Sequence, residues 1–388
     1  NLDGFLYDLV EFVNSGKFRE IISLDIPSGV DGDNGLIRGT AVQADLTVSF
    51  GFPKLGHFLA PGASKRGELI NVDISLPHHF REEGDKVLLN DRMVSQLIQE
   101  RDQYGHKNAF GHTLLVGGSP GRLGAIEMAG RACHRMGTGL VTISTWDEIF
   151  PLLMMRIPSE TMAFPIPPNL AELDAPGSLL TGFSSLVVGP GLGQKPEAVK
   201  LLESILTNYQ GPVVLDADAL NIIAENDFYS ILVNRRAPTV LTPHLGEMAR
   251  LLKISVSEIK EDLLTALREA VDRTHSTIVL KGAATLICSP DDRVYLNHYP
   301  NDGMATAGSG DVLAGMIGGL LGQGMDAFEA ALAGVALHST AGGQAARTRG
   351  HRSMTAGDII DSISGAFHEI KERKSLAPLP FETRAYLL

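Results

Sequence analysis

Hydrophobic positions change period along the chain, and the change divides it in two. Over residues 4 to 20, Phe5, Leu6, Leu9, Val10 and Val13 recur at helical spacing, which predicts one amphipathic helix with Gly16 as a stop or weak point near its end. Strand-length apolar runs follow at 21–29, 45–50 and 69–74; the first ends in the sharp turn Pro27, Ser28, Gly29, and the last is closed by Pro77. A charged connector at 78–86 and a predicted helix at 91–100 open a second region. There, short apolar runs at 114–118, 139–144, 185–189, 212–216, 239–242 and 277–281 alternate with helical stretches, among them 125–136 and 330–338, to about residue 370. Strands at that spacing imply a parallel sheet covered by helices. The expected organisation is a thin α/β domain at 1–85 and a larger one at 86–388.

Most strands of the second region end in loops suited to a ligand, at 118–124, 189–193, 216–221, 242–247 and 281–285. Loops after parallel strands share one edge of the sheet, so all of them can line one crevice. The stretch 303–311 adds small residues ahead of a predicted helix, and the uncovered N–H groups of Gly308, Ser309 and Gly310 there form an anion hole that fits a phosphate. Asp311 is the odd member beside a phosphate. It is either a general base that takes a proton from a hydroxyl or a plain helix cap, and the convergence of the other loops favours the base.

The other signals are two-sided. The 189–193 loop lacks the spacing of a dinucleotide fingerprint, so it lets a ligand approach the backbone or merely turns the chain. Lys281 is placed to reach a phosphate, or is a surface lysine. His244 contacts a ligand or is a satisfied loop histidine; Glu247 orients water on a magnesium ion or opens the next helix. Asp216 is expected to face the cleft, Asp218 to cap a helix starting near Ala219, and His338 to sit in the core. No P-loop occurs, and no Ser-His-Asp or Cys-His arrangement is apparent.

Composition narrows the partners. A formal charge of -12 argues against a nucleic-acid footprint, so anionic ligands must be held by backbone amides and a few basic residues. Cys133 and Cys288 have neither metal nor disulfide spacing and are expected to be reduced, buried and inert. No apolar run reaches the roughly 18 residues of a membrane span, and the first residues do not read as a signal peptide, so a cytoplasmic protein without a membrane partner is expected.

Residues 24–31, 44–54 and 67–74 resemble the carboxyl-terminal part of the NAD(P)H-hydrate epimerase domain, a partial Rossmann-like unit here. The resemblance implies that Asp25 contacts the hydrated nicotinamide and Ser28 helps bind potassium. That domain's amino-terminal half, with a further metal-binding Asp, has no counterpart in these 388 residues, and on that ground no epimerase activity is expected. Residues 242–247, 281–285 and 304–315, with the loops at 119–125 and 189–193, resemble the nucleotide-dependent NAD(P)H-hydrate dehydratase family, over roughly residues 90–370. The tandem order is that of the bifunctional repair enzymes.

For the second region the resemblance implies a ribokinase-like fold, a mostly parallel sheet with helices on both faces. It implies that Ala125, Gly191, Gly193, His244 and Asp311 hold the hydrate. Lys281, Gly282, Ala283, Ala284, Thr285, Thr306, Gly308, Ser309 and Gly310 would hold the nucleotide, with magnesium reached indirectly through Glu247. The implied reaction dehydrates the S epimer of hydrated NADH or NADPH at the expense of ADP or ATP; ADP is favoured, giving AMP and phosphate. A homo-oligomer is expected. The alternatives are an ATP-dependent kinase of a small hydroxylated vitamin precursor and a non-catalytic nucleotide sensor.

Overall fold

A computed structural model of the chain describes residues 1–76, 85–98, 100–167, 170, 180–290 and 293–373. Residues 78–84 of the charged connector at 78–86 lie outside the described residues, and Lys86 already belongs to a strand.

The first region holds a three-stranded parallel sheet in chain order, β1 (Ile22–Leu24), β2 (Leu46–Phe50) and β3 (Glu68–Val72). Its helix, Gly4–Ser15, ends earlier than residue 20 because Gly16 turns extended and the Phe18 ring folds back edge-on to Phe12, 6.3 Å between centroids. The apolar face of this unit stays open: Phe5, Leu6, Phe12, Ile22 and Leu24 are each at least half exposed.

The second region is built on a ten-stranded sheet among the described residues, formed by β4 (Lys86–Leu88), β5 (His112–Val116), β6 (Leu140–Trp146), β7 (Met162–Ile166), β8 (Ser185–Val188), β9 (Val213–Leu215), β10 (Thr239–Leu241), β11 (Thr277–Leu280), β12 (Ala284–Cys288) and β13 (Val294–His298). The spatial order is β4-β13-β12-β11-β10-β9-β8-β5-β6-β7, with β12 antiparallel to both neighbours and the remaining pairs parallel. Strands β4, β7 and the β12–β13 hairpin go beyond the elements predicted from sequence. Strand β7 carries Pro165, which the sheet tolerates because β7 is its edge.

Side chains alternate between two cores, one on each face. Leu114 and Val116 enter one and Leu115 the other; Leu186 and Val188 divide from Val187 in the same way. The Ser309–Gly322 helix lies close on one face because its glycines leave room: a Cβ at Gly315 would stand 2.1 Å from the Ala129 carbonyl oxygen, and one at Gly318 would stand 2.1 Å from Val187 Cγ2. Strand order reverses between β5 and β8, and in such sheets a crevice at the strands' carboxyl ends marks that point.

The first region is anchored on the β12–β13 side. Leu55, Phe58 and Leu59 join one of the sheet's cores, and the Phe58 ring meets His298 edge-on at 5.2 Å. Arg66 Nη2 lies 3.4 Å from His298 Nε2, and Asn34 Nδ2 donates to the Glu261 carbonyl at 3.2 Å. Among the described residues no helix is long and apolar enough to cross a membrane.

Candidate active site

Three residues predicted to hold the hydrate come together at the strand-order reversal. Gly118 N donates to the Pro190 carbonyl at 2.9 Å, which ties the β5 loop to the β8 loop. Gly191 adopts φ 62°, and a Cβ there would lie 2.5 Å from the Arg122 carbonyl oxygen and 3.2 Å from Ala125 Cβ, so only glycine lets the two loops meet. Gly193 follows, also at positive φ. Asp218 does not cap its helix, as the sequence suggested; it is the first residue of the Asp218–Asn226 helix, and its carboxylate crosses to the β8 loop. There Oδ2 accepts from Gly193 N at 2.8 Å and Oδ1 from Gln194 Nε2 at 2.9 Å, bonds that a buried carboxylate needs and a local cap would not supply.

Next along the edge is a buried charge cluster. Lys281 Nζ donates to Asp216 Oδ1 at 2.7 Å and stands 3.8 Å from Glu247 Oε2. Thr242 Oγ1 donates to the same Asp216 oxygen at 2.8 Å. Burial alone would lower the Lys281 pKa, but Asp216 and Glu247 outweigh it and the ammonium is held above its ordinary value. His244 caps the Leu245–Leu252 helix: its Nδ1 accepts from Gly246 N at 2.9 Å, and Glu247 Oε2 accepts from His244 N at 2.8 Å. His244 and Lys281 are also bridged as neighbouring strands, with Lys281 N donating to the Pro243 carbonyl at 2.8 Å. Glu247 thus opens its helix in the bland sense and also faces Lys281.

The Ser309–Gly322 helix delivers the third wall. Gly308 stands before it at φ 93°, where a Cβ would collide with Met128. Neither Gly310 N nor Asp311 N has an acceptor among the described residues, so both amides are left at the helix start. A Cβ at Gly310 would lie 3.2 Å from Lys281 Nζ, which places the ammonium against these amides. Asp311 sits in the first turn without capping it. Burial, then the negative charge of Asp216, opposed in part by Lys281, push its carboxyl up to about 7. Ser309 Oγ lies 3.4 Å from Nε2 of the buried His338, whose pKa burial lowers to about 4. Thr306 stays in the turn, and its carbonyl accepts from Ser309 N at 3.3 Å; of the three amides the sequence offered for the anion hole, that of Ser309 is therefore already taken.

The stretch 281–285 is only partly loop. Gly282 and Ala283 form an exposed turn, whereas Ala284 and Thr285 begin β12, and Thr285 Oγ1 donates to the Gly282 carbonyl at 3.2 Å. In the first region, Asp25 follows β1 at φ 66° and is ion-paired with Lys54. Burial lowers the His57 pKa to about 4, so the ring is neutral; Nδ1 accepts from Lys54 N at 3.0 Å and Nε2 donates to the Asp25 carbonyl at 2.9 Å. Ser28 is exposed, and its carbonyl accepts from Val42 N at 2.9 Å. Cys133 and Cys288 are buried, as expected, and form no disulfide.

Comparison with known proteins follows the same division. The profile of the family described as NAD(P)H-hydrate dehydratase matches residues 113–364, and that of the YjeF-related protein N-terminus matches residues 1–56. The chain is 41% identical over 371 residues to the bifunctional NAD(P)H-hydrate repair enzyme Nnr of Moorella thermoacetica, covering 94% of this chain and 69% of that protein. The corresponding Nnr of Thermofilum pendens is 38% identical, over 96% of this chain and 71% of its own length. Among solved structures, the ADP/ATP-dependent NAD(P)H-hydrate dehydratase of Bacillus subtilis, co-crystallised with ATP and Mg2+, superposes with a TM-score of 0.64 at 29% identity, covering 73% of this chain and 99% of that one. A ribokinase-like superfamily protein of Enterococcus faecalis gives a TM-score of 0.65 at 27% identity, over 74% of this chain and 96% of that one. The ribokinase-like sheet, the crevice at its edge and the two matched profiles agree: the chain belongs to the NAD(P)H-hydrate dehydratase family.

Proposed function

We propose that this NAD(P)H-hydrate dehydratase uses ADP as phosphoryl donor and Asp311 as general base, on the S epimer of hydrated NADH or NADPH. The observation that carries the reading is Asp311 itself: a carboxyl near pKa 7, beside two unoccupied amides and an ammonium at a helix start. Hydroxide is a poor leaving group at neutral pH. Asp311 takes the proton of the ring hydroxyl, and that oxygen attacks the terminal phosphorus as the bond to the leaving AMP breaks. The free amides of Gly310 and Asp311 and the Lys281 ammonium stabilise the charge on the transferred group. The C–O bond of the phosphoester then breaks, its electrons leave with phosphate, and loss of a proton from the adjacent ring carbon restores the dihydropyridine. In balance, hydrate and ADP give NAD(P)H, AMP, phosphate and a proton.

Ala125, Gly191, Gly193 and His244 line the hydrate's side in this reading, and Lys281 to Thr285 with Thr306 the nucleotide's. Magnesium bound with the nucleotide offsets phosphate charge. Glu247 would orient water on that ion. In the first region Asp25 would face a hydrated nicotinamide and Ser28 would give potassium an oxygen ligand. The domain limits 1–85 and 86–388 and a homo-oligomeric state belong to the same proposal. The test is incubation with hydrated NADH, Mg2+ and either ADP or ATP. Recovery of reduced-nicotinamide absorbance with free phosphate is expected, faster with ADP; accumulation of a stable phosphorylated product would replace the reading with a kinase.

A further inference from the structure

Arg122 precedes the Leu123–Arg135 helix, in the loop after β5, and leans on the loop after β8. Its Nη1 donates to Asp218 Oδ2 at 3.2 Å, and its side chain is 61% exposed against 9% for Asp218. The remaining guanidinium N–H groups have no partner among the described residues. Asp218 therefore holds three things in one place: the Gly193 amide, the Gln194 side chain and the Arg122 guanidinium. Arg122 packs beside Gly191 and one turn from Ala125, on the hydrate's side of the crevice, whereas Lys281 sits at Gly310 on the other.

The crevice is short of positive charge. Asp216, Asp218, Glu247 and Asp311 converge on it, Lys281 is already paired with Asp216, and the whole chain carries a formal charge of -12. A hydrated NAD(P)H brings a pyrophosphate, a dianion that needs a cation close to the nicotinamide-binding loop. We infer that Arg122 binds a phosphate of the hydrated dinucleotide, and that Asp218 is the positioning residue that aims it while fixing the Gly193 amide. An arginine fork held at one N–H by a carboxylate keeps its other donors for phosphate oxygens. The inference rests on the proposed substrate, and it commits to the hydrate's phosphates rather than the donor nucleotide's.

The experiment compares the full chain with Arg122→Ala, Arg122→Gln and Arg122→Lys. Binding of NADH, the reaction product, is followed by its own fluorescence and needs no turnover, so a failed reaction and a failed inference can be told apart. Arg122→Ala and Arg122→Gln are expected to weaken NADH binding and raise KM for the hydrate about tenfold, with kcat within about twofold and KM for ADP unchanged. Arg122→Lys should recover part of the loss, because a point charge replaces a fork. Salt should weaken NADH binding to the parent chain more than to Arg122→Ala. Asp218→Ala should weaken NADH binding several-fold, and Asp218→Asn, which keeps an acceptor for the Gly193 amide, should restore much of it. Unchanged NADH binding in both neutral Arg122 variants, or a rise in KM for ADP instead, would overturn the inference.

Discussion

Asp25 and Asp311 lie in the two regions at comparable places, each beside a parallel sheet's loop edge, and their surroundings set them apart. Asp25 is 43% exposed in side chain and neutralised by Lys54. Asp311 is half-buried at the head of the otherwise buried Ser309–Gly322 helix, with Asp216, Asp218 and Glu247 close enough to raise its pKa and one shared cation to lower it. The supporting sheets differ in the same sense: β3 alternates exposed and half-buried positions, whereas every residue of β8 and β11 is buried. A carboxylate becomes a base for neutral pH only where the fold can keep water away and crowd it with like charge. The ten-stranded sheet does this for Asp311.

The largest expected effect is on Asp311. Asp311→Asn should lower turnover about hundredfold or more with nucleotide binding retained or tightened, since it removes a positioned base and a negative charge. The parent's turnover should rise with pH through about 7, where the carboxyl ionises. Stability should move the opposite way. The folded pKa is above the unfolded one, so between roughly pH 4 and 7 the native state binds the extra proton, and stability falls as pH rises through that window. Thermal unfolding of Asp311→Asn should lack this fall; near-normal turnover in it would return Asp311 to the role of a bystander.

Lys281 comes next. It faces the anion site, yet it is also the partner of Asp216, whose side chain is 2% exposed. Lys281→Ala should cost about 4 kcal/mol in unfolding free energy, the scale of a buried carboxylate left without its partner, and weaken nucleotide binding in a salt-dependent way. Adding Asp216→Asn should recover stability but not nucleotide affinity, which separates the two duties. Phe58→Ala tests whether the regions stand as one unit. Phe58 is 6% exposed and packs between Arg66 and His298, so about 3 kcal/mol of loss is expected, with a single unfolding transition.

Much of this was legible in the chain. Continuous apolar runs such as 185–189 and 277–281 marked the buried strands, and the small residues at 308–310 marked the helix start, because each signal is local. The β12–β13 hairpin was missed: Thr285 and Asn297 interrupt its apolar pattern, and the buried Asn297 finds its partner in Ser339 of a distant helix, to which its Nδ2 donates at 2.7 Å. The exchange of Asp218 from cap to loop tie was illegible for the same reason, since its partners at 122, 193 and 194 lie in other loops. Nor could sequence say which of Asp216, Asp218 and Asp311 would be paired. The pairings of Lys281 with Asp216, 65 residues apart, and of Arg122 with Asp218, 96 apart, decide it.

The smallest effect on stability is expected on the open face of the first region. Phe5 is 78% and Phe12 64% exposed, so a Phe5→Ser, Phe12→Ser variant loses little burial and should change unfolding free energy by no more than about 0.5 kcal/mol. Leu6, Ile22 and Leu24 are exposed in the same region, and exposed apolar side chains of this kind are often covered by association. The homo-oligomer expected from the sequence should therefore be lost or weakened in this variant while the melting temperature of the ten-stranded region holds. Sedimentation of both proteins across a concentration series reads the first quantity and calorimetry the second. An unchanged assembly size would place the oligomer contact elsewhere, whereas a large drop in stability would mean that these rings already hold the first region together, and the contrast between an open region and a closed one would have to be redrawn at Phe12 and Phe18, whose rings meet edge-on.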